Sequence, residues 1–514
     1  MSAVQVCLPA LHKPKPYALV LRDLRFLYLR IIVTAQVEKD SQLQPGPKND
    51  NVGSMTGCEK EQKIIALEQE NQALRSKIAE LERRLGLDSK NSSLPPSSDG
   101  LKKKTPLSKS LRSKSQRQTG GQKGRQGQTL EQVINPDKIV HHPTPVGCWG
   151  CGCNLAQEQV LSVVKRQVFD IPEPSIEVTE HRVEVKQCPQ GHKKIQGSFP
   201  QLVKAPVQYG VRIKAVSSYL HHQHFIPEDR LSEALEDIFG CQMTAGTIAN
   251  ISQTLAQTLS PAIEQLASDI KAAPVKHLDE TGLRISGKTQ WLHVVATETA
   301  TWYRIAAKRK ELEPLLELLG VVIHDHWKPY YQLEGVSHGL CNAHHLRELK
   351  ALEEIENEDW AKSMSKMLSV ANKYRHRYPQ TIPKSIVTRL TQLDNSIRER
   401  GLNFHNSQPP LIRKNNRGRV KRRVGHNLLL RLKNFAPDVL RFLLESHVPF
   451  TNNQAERDLR MIKCKPKISG CFRSFERAFD LANIRSFLST ARKQNLNLLE
   501  VLTQALSGQP PVFS

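Results

Sequence analysis

The pattern of residues 272–325 constrains the fold more than any other part of the chain. The segments APVKHLDETGLRI, KTQWLHVVATE and TWYRIAA predict three strands joined by short turns, which is typical of an antiparallel meander. The segment KELEPLLELLG then predicts a helix, and GVVIHDHW gives a short buried apolar run. Since a continuous apolar strand that follows a helix indicates parallel pairing, the sequence predicts a mixed sheet.

Two of these strands carry an acidic residue. Asp279 lies in the first strand, and Asp325 ends the last one, at the carboxyl edge where α/β sheets place their sites. Two carboxylates on neighbouring strands provide the oxygen ligands that Mg²⁺ requires. Two such ions can hold the attacking and leaving oxygens of a phosphodiester in line, and a site of this kind typically needs a third carboxylate.

The segment PFTNNQAERDLRMIK supplies a third acid, Glu456, on a predicted helix. One interpretation is local: Asn453 caps the helix, and Glu456 reaches back to close a capping box. The other is catalytic, because Glu456, Arg460 and Lys463 lie along one helix face, where the cations would hold DNA phosphates beside a metal ligand. Arg457 adds to this charge. A cap explains the glutamate but leaves the ordered cations unexplained.

Residues 55–87 predict a dimerising coiled coil, which follows an N-terminal extension, residues 1–54, that we expect to be disordered. In IIALEQENQALRSKIAELERRL the apolar residues alternate at spacings of three and four. The a positions are Ile64, Asn71, Ile78 and Leu85, and the d positions are Leu67, Leu74 and Leu81. Isoleucine at a with leucine at d favours two parallel helices, and a buried asparagine fixes their register. The alternative is a single amphipathic helix that packs on its own chain.

Two segments carry most of the excess positive charge, and the whole chain has a net charge of +24, which favours a polyanionic partner. Residues 88–130 are rich in Ser, Pro and Gly and predict a flexible basic linker. The loop LIRKNNRGRVKRR is the second segment. We expect both to contact DNA phosphates rather than to be merely solvated. The residues proposed for this contact are Lys102, Lys103, Lys104, Lys421, Arg422 and Arg423.

Residues 131–200 predict a zinc-binding β module. Cys148 and Cys151 form one pair with the spacing of zinc ligands, and Cys188 and His192 form the other. Two alternating segments, QVLSVVKRQVFDI and SIEVTEHRVEVKQ, predict a hairpin between the pairs. Cys153 is a spare thiol that would compete with Cys151. The alternative is a set of core cysteines without a metal.

The remaining segments predict helices. In residues 201–272, RLSEALEDIFG and TAGTIANISQTLAQTL are two helices broken at Gly240, which fits a helix-turn-helix and an ordinary helical hairpin equally. Residues 481–514 predict an amphipathic tail that packs on the core. The ten cysteines are thinly spread and the longest apolar run is interrupted by charges, so we expect a cytoplasmic protein and no membrane partner.

Several blocks together resemble the DDE transposases of the IS66 insertion-sequence family: HLDETGLRISGKTQWLHV, GVVIHDHWKPYY, HGLCNAHHLRELKALE and VPFTNNQAERDLRMIKCKPKISGCFRS. KNSSLPPSSD and GGQKGRQGQTL resemble N-terminal segments of that family, and the paired cysteine motifs resemble its zinc-binding domain. Where the family has a second cysteine pair, this chain has Cys188 and His192. The resemblance covers about residues 59–505.

The resemblance implies an α+β or α/β multidomain chain whose RNase H-like catalytic core, residues 273–480, holds Asp279, Asp325 and Glu456 as its metal-binding triad. A helical insertion over about residues 340–450 would separate the last two acids. In this hypothesis Asp279 bridges two Mg²⁺ or Mn²⁺ ions, and Asp325 and Glu456 hold one each. The segment CNAHHLREL would present His345 or Arg347 to the DNA backbone.

The function that the resemblance implies is cleavage of DNA at the ends of a mobile element, followed by attack of the freed 3′-hydroxyl on target DNA. The partners would be element ends, target DNA, a second copy of the chain and accessory proteins from the same element, within a bacterial nucleoid. Two alternatives remain: a non-catalytic DNA-binding regulator and an inactive remnant. A zinc hydrolase site built from His324, His326, His344 and His345 is disfavoured because these residues lack the HExxH arrangement.

Overall fold

The computed structural model describes residues 130–191, 193–411 and 420–513, with residues 65–72 and scattered positions from 74 to 87. The chain divides into two units, residues 1–80 and 81–514. In the first unit, residues 65–72 are helical, and Leu67, Leu74 and Ile78 are 50–55% exposed. All residues from 65 to 72 are exposed alike, and the coiled coil stays a prediction. Several predicted features lie outside the described residues: the extension 1–54, the linker residues Lys102, Lys103 and Lys104, and the zinc ligand His192.

The segment predicted as a zinc module contains two short strands. β1 (Val185–Gln187) and β2 (Lys194–Gln196) pair antiparallel on either side of the turn that begins at Cys188. The prediction of two long strands is otherwise wrong, because residues 159–184 form no strand. Their alternating apolar side chains stay exposed, as at Val164 (84%) and Val178 (88%), so no buried face fixes a register.

Three helices follow: α1 (Val211–Ser218), α2 (Glu228–Phe239) and α3 (Ala245–Ala272). The predicted break is confirmed, since Gly240 ends α2 in the left-handed conformation, at φ 63°, and Thr244 caps α3 by accepting the N–H of Thr247. α3 continues well beyond its predicted end despite Pro261, because its apolar face is buried as far as Ile270.

The core is a mixed sheet of five strands, which confirms the α+β prediction. The strands are β3 (Val275–Ile285), β4 (Lys288–Ala296), β5 (Thr301–Ala306), β6 (Gly320–His324) and β7 (Val336–Leu340), in the spatial order β5-β4-β3-β6-β7. β3, β4 and β5 form the predicted antiparallel meander, and β6 and β7 run parallel to β3. Ser286 and Gly287, both at positive φ, make the tight turn between β3 and β4.

The helix predicted between β5 and β6 is wrong. Only one 3₁₀ turn, Glu313–Leu315, forms there. Pro314 disfavours the α conformation of the residue before it, and Gly320 has φ 72° at the start of β6. A Cβ on Gly320 would lie 2.6 Å from the Pro274 carbonyl oxygen, so the chain turns into the sheet only with glycine at this position.

In the described residues between β7 and the segment that carries Glu456, where a helical insertion was predicted, there are five helices. They are α4 (Asn342–Ile355), α5 (Asp359–Arg377), α6 (Lys384–Ser407), α7 (Val424–Asn434) and α8 (Ala436–Leu444). Their buried residues share one hydrophobic cluster with Ile323 of β6 and Leu340 of β7. The insertion helices therefore pack on the parallel edge of the sheet.

Three more helices complete the core: α9 (Asn453–Ser469), α10 (Phe475–Lys493) and α11 (Leu498–Leu506). α9 covers one face of the sheet, where Leu459 packs with Val294 and Tyr303. On the other face, Leu278 and Trp302 pack with α3, α10 and α11. Because α10 runs from Phe475 to Lys493, it crosses residue 480, the predicted boundary between the catalytic core and the C-terminal tail. In the part of the chain described, none of the helices has the length and apolar character to span a membrane.

Candidate functional site

Asp279 and Asp325 lie at the same edge of the sheet. β3 and β6 are parallel, with His277 opposite Ile323, so two further positions along each strand bring the two aspartates side by side. Burial, followed by the charges of Glu280 and Asp325, raises the pKa of Asp279 to about 7. The Asp279 carboxylate also accepts the N–H of Glu280 at 2.8 Å. The predicted pair of carboxylates on neighbouring strands is therefore present.

Asp325 directly follows β6. Its Oδ1 accepts the backbone N–H of Trp327 at 3.1 Å, and His326 between them adopts φ 73°. This local turn fixes the carboxylate at the carboxyl end of a parallel strand, where sheets of this kind place their ligands.

Glu456 lies in the first turn of α9. The cap prediction is wrong, because Asn453 is the first helical residue, and Asn452 before it makes no side-chain capping bond. Glu456 Oε1 instead lies 3.4 Å from Arg347 Nη2 and 3.8 Å from His344 Nδ1, and its side chain is 26% exposed. The glutamate is thus available to a ligand and is held by residues of α4.

The His344 ring connects the third acid to the first two. Burial and Arg347 lower the pKa of His344, and the carboxylates of Glu456 and Asp325 both raise it, so the two acids lie close to the same ring. Asp325 in turn acts on Asp279. Electrostatic interactions thus link the three predicted acids, which come from β3, the end of β6 and α9, and their grouping around one metal stays a prediction.

Asn452 fixes this arrangement, and the sequence alone did not single it out. Its Nδ2 donates to the Leu278 carbonyl at 2.7 Å, and its Oδ1 lies 2.9 Å from His277 Nδ1. Its backbone N–H donates to Cys341 Sγ at 3.1 Å. Asn452 is 1% exposed, so one buried residue joins β3 through its side chain and the start of α4 through its backbone N–H, at the start of α9.

Glu280 is a second residue that the sequence reasoning missed. It lies beside Asp279, and its buried carboxylate is paired with Arg309, whose Nε donates at 2.9 Å. Its other oxygen accepts the hydroxyl of Tyr330 at 2.6 Å. The Arg309 guanidinium lies 5.0 Å from the Trp291 ring centroid and 4.5 Å from that of Trp327. The network stabilises the strand behind the acidic edge.

Asp458, the other acid of the helical motif, has a structural role. Its Oδ2 accepts Lys493 Nζ at 2.8 Å and Thr301 Oγ1 at 2.9 Å. The carboxylates of Glu456 and Asp458 thus have different contacts: the first lies beside His344 and Arg347 of α4, and the second attaches α9 to β5 and α10.

The predicted DNA-binding residues differ in their accessibility. His345 is 2% exposed and its ring is hydrogen-bonded to Asn342, so the prediction that His345 contacts DNA conflicts with its burial. Arg347 instead points to Glu456. Lys463 is exposed and close enough to Asp279 to lower its pKa. The other predicted cations that are exposed are Arg457, Arg460, Lys421 and Arg422, and Arg423 donates to the Pro409 carbonyl at 2.8 Å.

The cysteines of the predicted zinc module lie in two turns, within which local hydrogen bonds are made to their thiols. Cys148 N–H donates to the Cys153 carbonyl at 2.9 Å, and Cys151 Sγ lies 3.3 Å from Cys153 Sγ. Hydrogen bonds from Cys153 lower the pKa of Cys151, and the backbone N–H groups of Gly191 and Gln190 lower that of Cys188. Both turns favour the thiolate form that a zinc ion requires, and zinc binding stays a prediction.

The other histidines of this region are packed against aromatic or histidine rings. His324 is fully buried beside His338, with Nε2 3.1 Å from His338 Nδ1, and burial lowers its pKa well below the usual value. The His326 ring lies against Phe435, with centroids 4.4 Å apart. This packing gives no support to a histidine-rich hydrolase site.

Comparison with known families places this site in context. A family model described as "Transposase IS66 family" matches residues 206–479, over half of the chain, and includes all three acids. A model of a family of unknown function, DUF6444, matches residues 44–131. No curated protein matches the chain.

Proposed function

The chain belongs to the IS66 transposase family, and from this premise we propose that it binds the ends of an insertion sequence and catalyses Mg²⁺-dependent DNA cleavage and strand transfer. The observation that supports the proposal is that Asp279 and Asp325 lie at the ends of paired parallel strands, while Glu456 lies 3.8 Å from His344, whose pKa Asp325 also raises. A common ligand accounts for this arrangement better than helix capping does.

The donor set fits a hard divalent cation. All three side chains offer carboxylate oxygens, and the pKa of Asp279 is raised by burial and then by the charges of Glu280 and Asp325, both of which a bound cation would offset. Asp279, Asp325 and Glu456 would hold Mg²⁺ or Mn²⁺. When bound, the metal supplies charge stabilisation at the phosphodiester and an activated attacking oxygen.

The protein's own cations would position the DNA. Lys463 lies near Asp279 and is exposed, and Arg457 and Arg460 are exposed on the same helix. We assign these three residues to the DNA phosphates next to the scissile bond. The basic residues Lys421 and Arg422, which precede α7, would contact the duplex further away. These contacts give affinity and orientation without sequence selection.

The other predicted features fit this function as parts of an assembly. We propose that the mixed sheet is an RNase H-like core, that the N-terminal helix pairs two copies, and that Cys148, Cys151, Cys188 and His192 hold a structural Zn²⁺. Element ends are cut in pairs by a dimer or larger assembly in this proposal, and accessory proteins of the same element would assist.

The test is an assay of purified protein on labelled element-end DNA, with and without Mg²⁺. Asp279→Asn, Asp325→Asn and Glu456→Gln should each abolish strand cleavage and leave DNA binding intact. Glu334→Gln, at an exposed position, is the matched control and should cleave normally. Cleavage by any of the three variants refutes the triad, and binding without cleavage by the unmodified protein indicates the regulator or the remnant.

A further inference from the structure

Cys341, His344 and Glu456 form a second cluster of metal-ligating groups. One ligand atom from each lies within 4.8 Å of the others. Cys341 precedes α4, His344 lies in its first turn, and Glu456 lies in the first turn of α9. Tetrahedral zinc bonds of about 2.0–2.3 Å place ligand atoms about 3.3–3.8 Å apart, so small side-chain rotations close this cluster around an ion.

The chemistry of the cluster differs from that of the carboxylate triad. A thiolate and an imidazole are poor ligands for Mg²⁺, which selects oxygen, and good ligands for Zn²⁺. Three protein ligands from Cys, His and Glu would leave one position open. The cluster therefore selects a different ion from the triad, although both use Glu456.

The present contacts leave room for such an ion. His344 Nδ1 is buried and has no hydrogen-bond partner in the described part of the chain, and it lies 3.8 Å from Glu456 Oε1. The Cys341 side chain is buried and accepts the Asn452 N–H, which remains compatible with a metal–sulfur bond. Arg347, 3.4 Å from Glu456, is the only cation in these contacts that the ion would displace.

We propose that Cys341, His344 and Glu456 bind a borderline-soft divalent cation of the Zn²⁺ class, and that this binding removes Glu456 from the carboxylate triad and suppresses cleavage. The Cys341 thiol loses its proton to solvent as the sulfur–metal bond forms, and Arg347 releases the glutamate. The binding stands on the geometry of the cluster, and its effect on cleavage rests on the proposed function.

The binding is tested on the full chain without DNA. Zinc content after equilibration and removal of free metal is measured for the unmodified protein, Cys341→Ser and His344→Gln. Serine keeps an acceptor for the Asn452 N–H, so the fold is preserved. Cys241→Ser is the control, since Cys241 is also buried but lies among apolar residues of another cluster.

We expect both site variants to lose one equivalent of zinc and Cys241→Ser to lose none. Cobalt substitution should show a thiolate-to-metal absorption component that is lost in both Cys341→Ser and His344→Gln and retained in Cys241→Ser. If both site variants retain the zinc content of Cys241→Ser, the site does not exist. All four proteins contain the predicted N-terminal zinc module, so its zinc does not affect the differences in zinc content between them.

The effect on cleavage is a separate measurement. With Mg²⁺ in excess, micromolar zinc should slow cleavage by the unmodified protein at least tenfold, and the ratio of rates with and without zinc should be near one for Cys341→Ser. An unchanged rate in the unmodified protein, with zinc bound, overturns the inhibitory role. Normal cleavage by Glu456→Gln would refute the triad while leaving the zinc measurement valid.

Discussion

Asn452 donates a 2.7 Å hydrogen bond to the carbonyl oxygen of Leu278, the residue before Asp279. This bond joins α9, which carries the third acid, to the strand that carries the first. The relation between Asp279 and Glu456 therefore depends on a residue that offers no carboxylate of its own.

Asn452→Ala should lower the cleavage rate at least tenfold while DNA binding is retained. The change removes two buried hydrogen bonds, to Leu278 and His277, and should cost about 2 kcal/mol of unfolding free energy. Asn453→Ala is the control, because Asn453 is exposed and is the first residue of the same helix. Rates and thermal midpoints are compared, and an unimpaired rate for Asn452→Ala would contradict its positioning role.

The two acids of α9 should give opposite phenotypes. Glu456→Gln should abolish cleavage with little change in thermal midpoint, since its side chain is partly exposed. Asp458→Asn should lower the midpoint, because Lys493 loses its carboxylate while both side chains are about 11–12% exposed. The cost should be about 2–4 kcal/mol. Equal destabilisation by the two substitutions would show that the assigned roles are wrong.

Arg309→Ala should destabilise the core by about 1–3 kcal/mol, because the buried Glu280 carboxylate loses its cation and Trp291 and Trp327 lose the stacked guanidinium. Tyr330→Phe should cost about 1.5–3 kcal/mol through the lost hydrogen bond to the same charged group. Denaturant unfolding followed by tryptophan fluorescence measures both. Lys308→Ala changes an exposed neighbour of Arg309 and is the control. An equally large loss of unfolding free energy in this variant would argue against the network.

Acidification should destabilise the core through buried histidines. Burial lowers the pKa of His293 to about 4, and neither ring nitrogen has a hydrogen-bond partner among the described residues. The unfolded chain protonates this residue below about pH 6.5, so it binds more protons than the folded chain between pH 6.5 and 4. The free energy of unfolding therefore falls as the pH falls through this window.

The His293 share of this fall should be about 1 kcal/mol at pH 5.5. His293→Phe should remove it, so the difference in thermal midpoint between pH 7.5 and 5.5 becomes smaller. His376→Phe changes an exposed histidine and should leave the difference in thermal midpoint between the two pH values unchanged. Identical pH dependence in the two variants would rule out the His293 contribution.

Local residue patterns in the sequence were sufficient to predict the elements that carry the acids. Strands β3, β4, β5 and β6 were predicted from alternation and from the apolar run before Asp325, since each signal spans only a few residues. The break at Gly240 was predicted for the same reason. The α-helix predicted between β5 and β6 does not form, because the prediction followed the apolar spacing there and neglected the effect of Pro314 on its neighbour.

Hydrogen bonds between residues far apart along the chain could not be predicted from the sequence. Asn452 pairs with Leu278 across 174 positions, and Glu280 pairs with Tyr330 across 50. The spacing of apolar residues along the sequence carries no information about such contacts. The exposure of His345 was also beyond the sequence, because neighbouring histidines on a helix start give no sign of which ring turns inward.

The hydrogen bond between His277 and Asn452 spans 175 positions, which has a consequence for synthesis. At about 5–20 residues per second, roughly 10–35 s pass on the ribosome between the making of its two partners. A nascent chain during that interval carries two aspartates without their glutamate. In the proposed function, the protein therefore gains its third acid, and with it the capacity to cleave DNA, only when α9 docks.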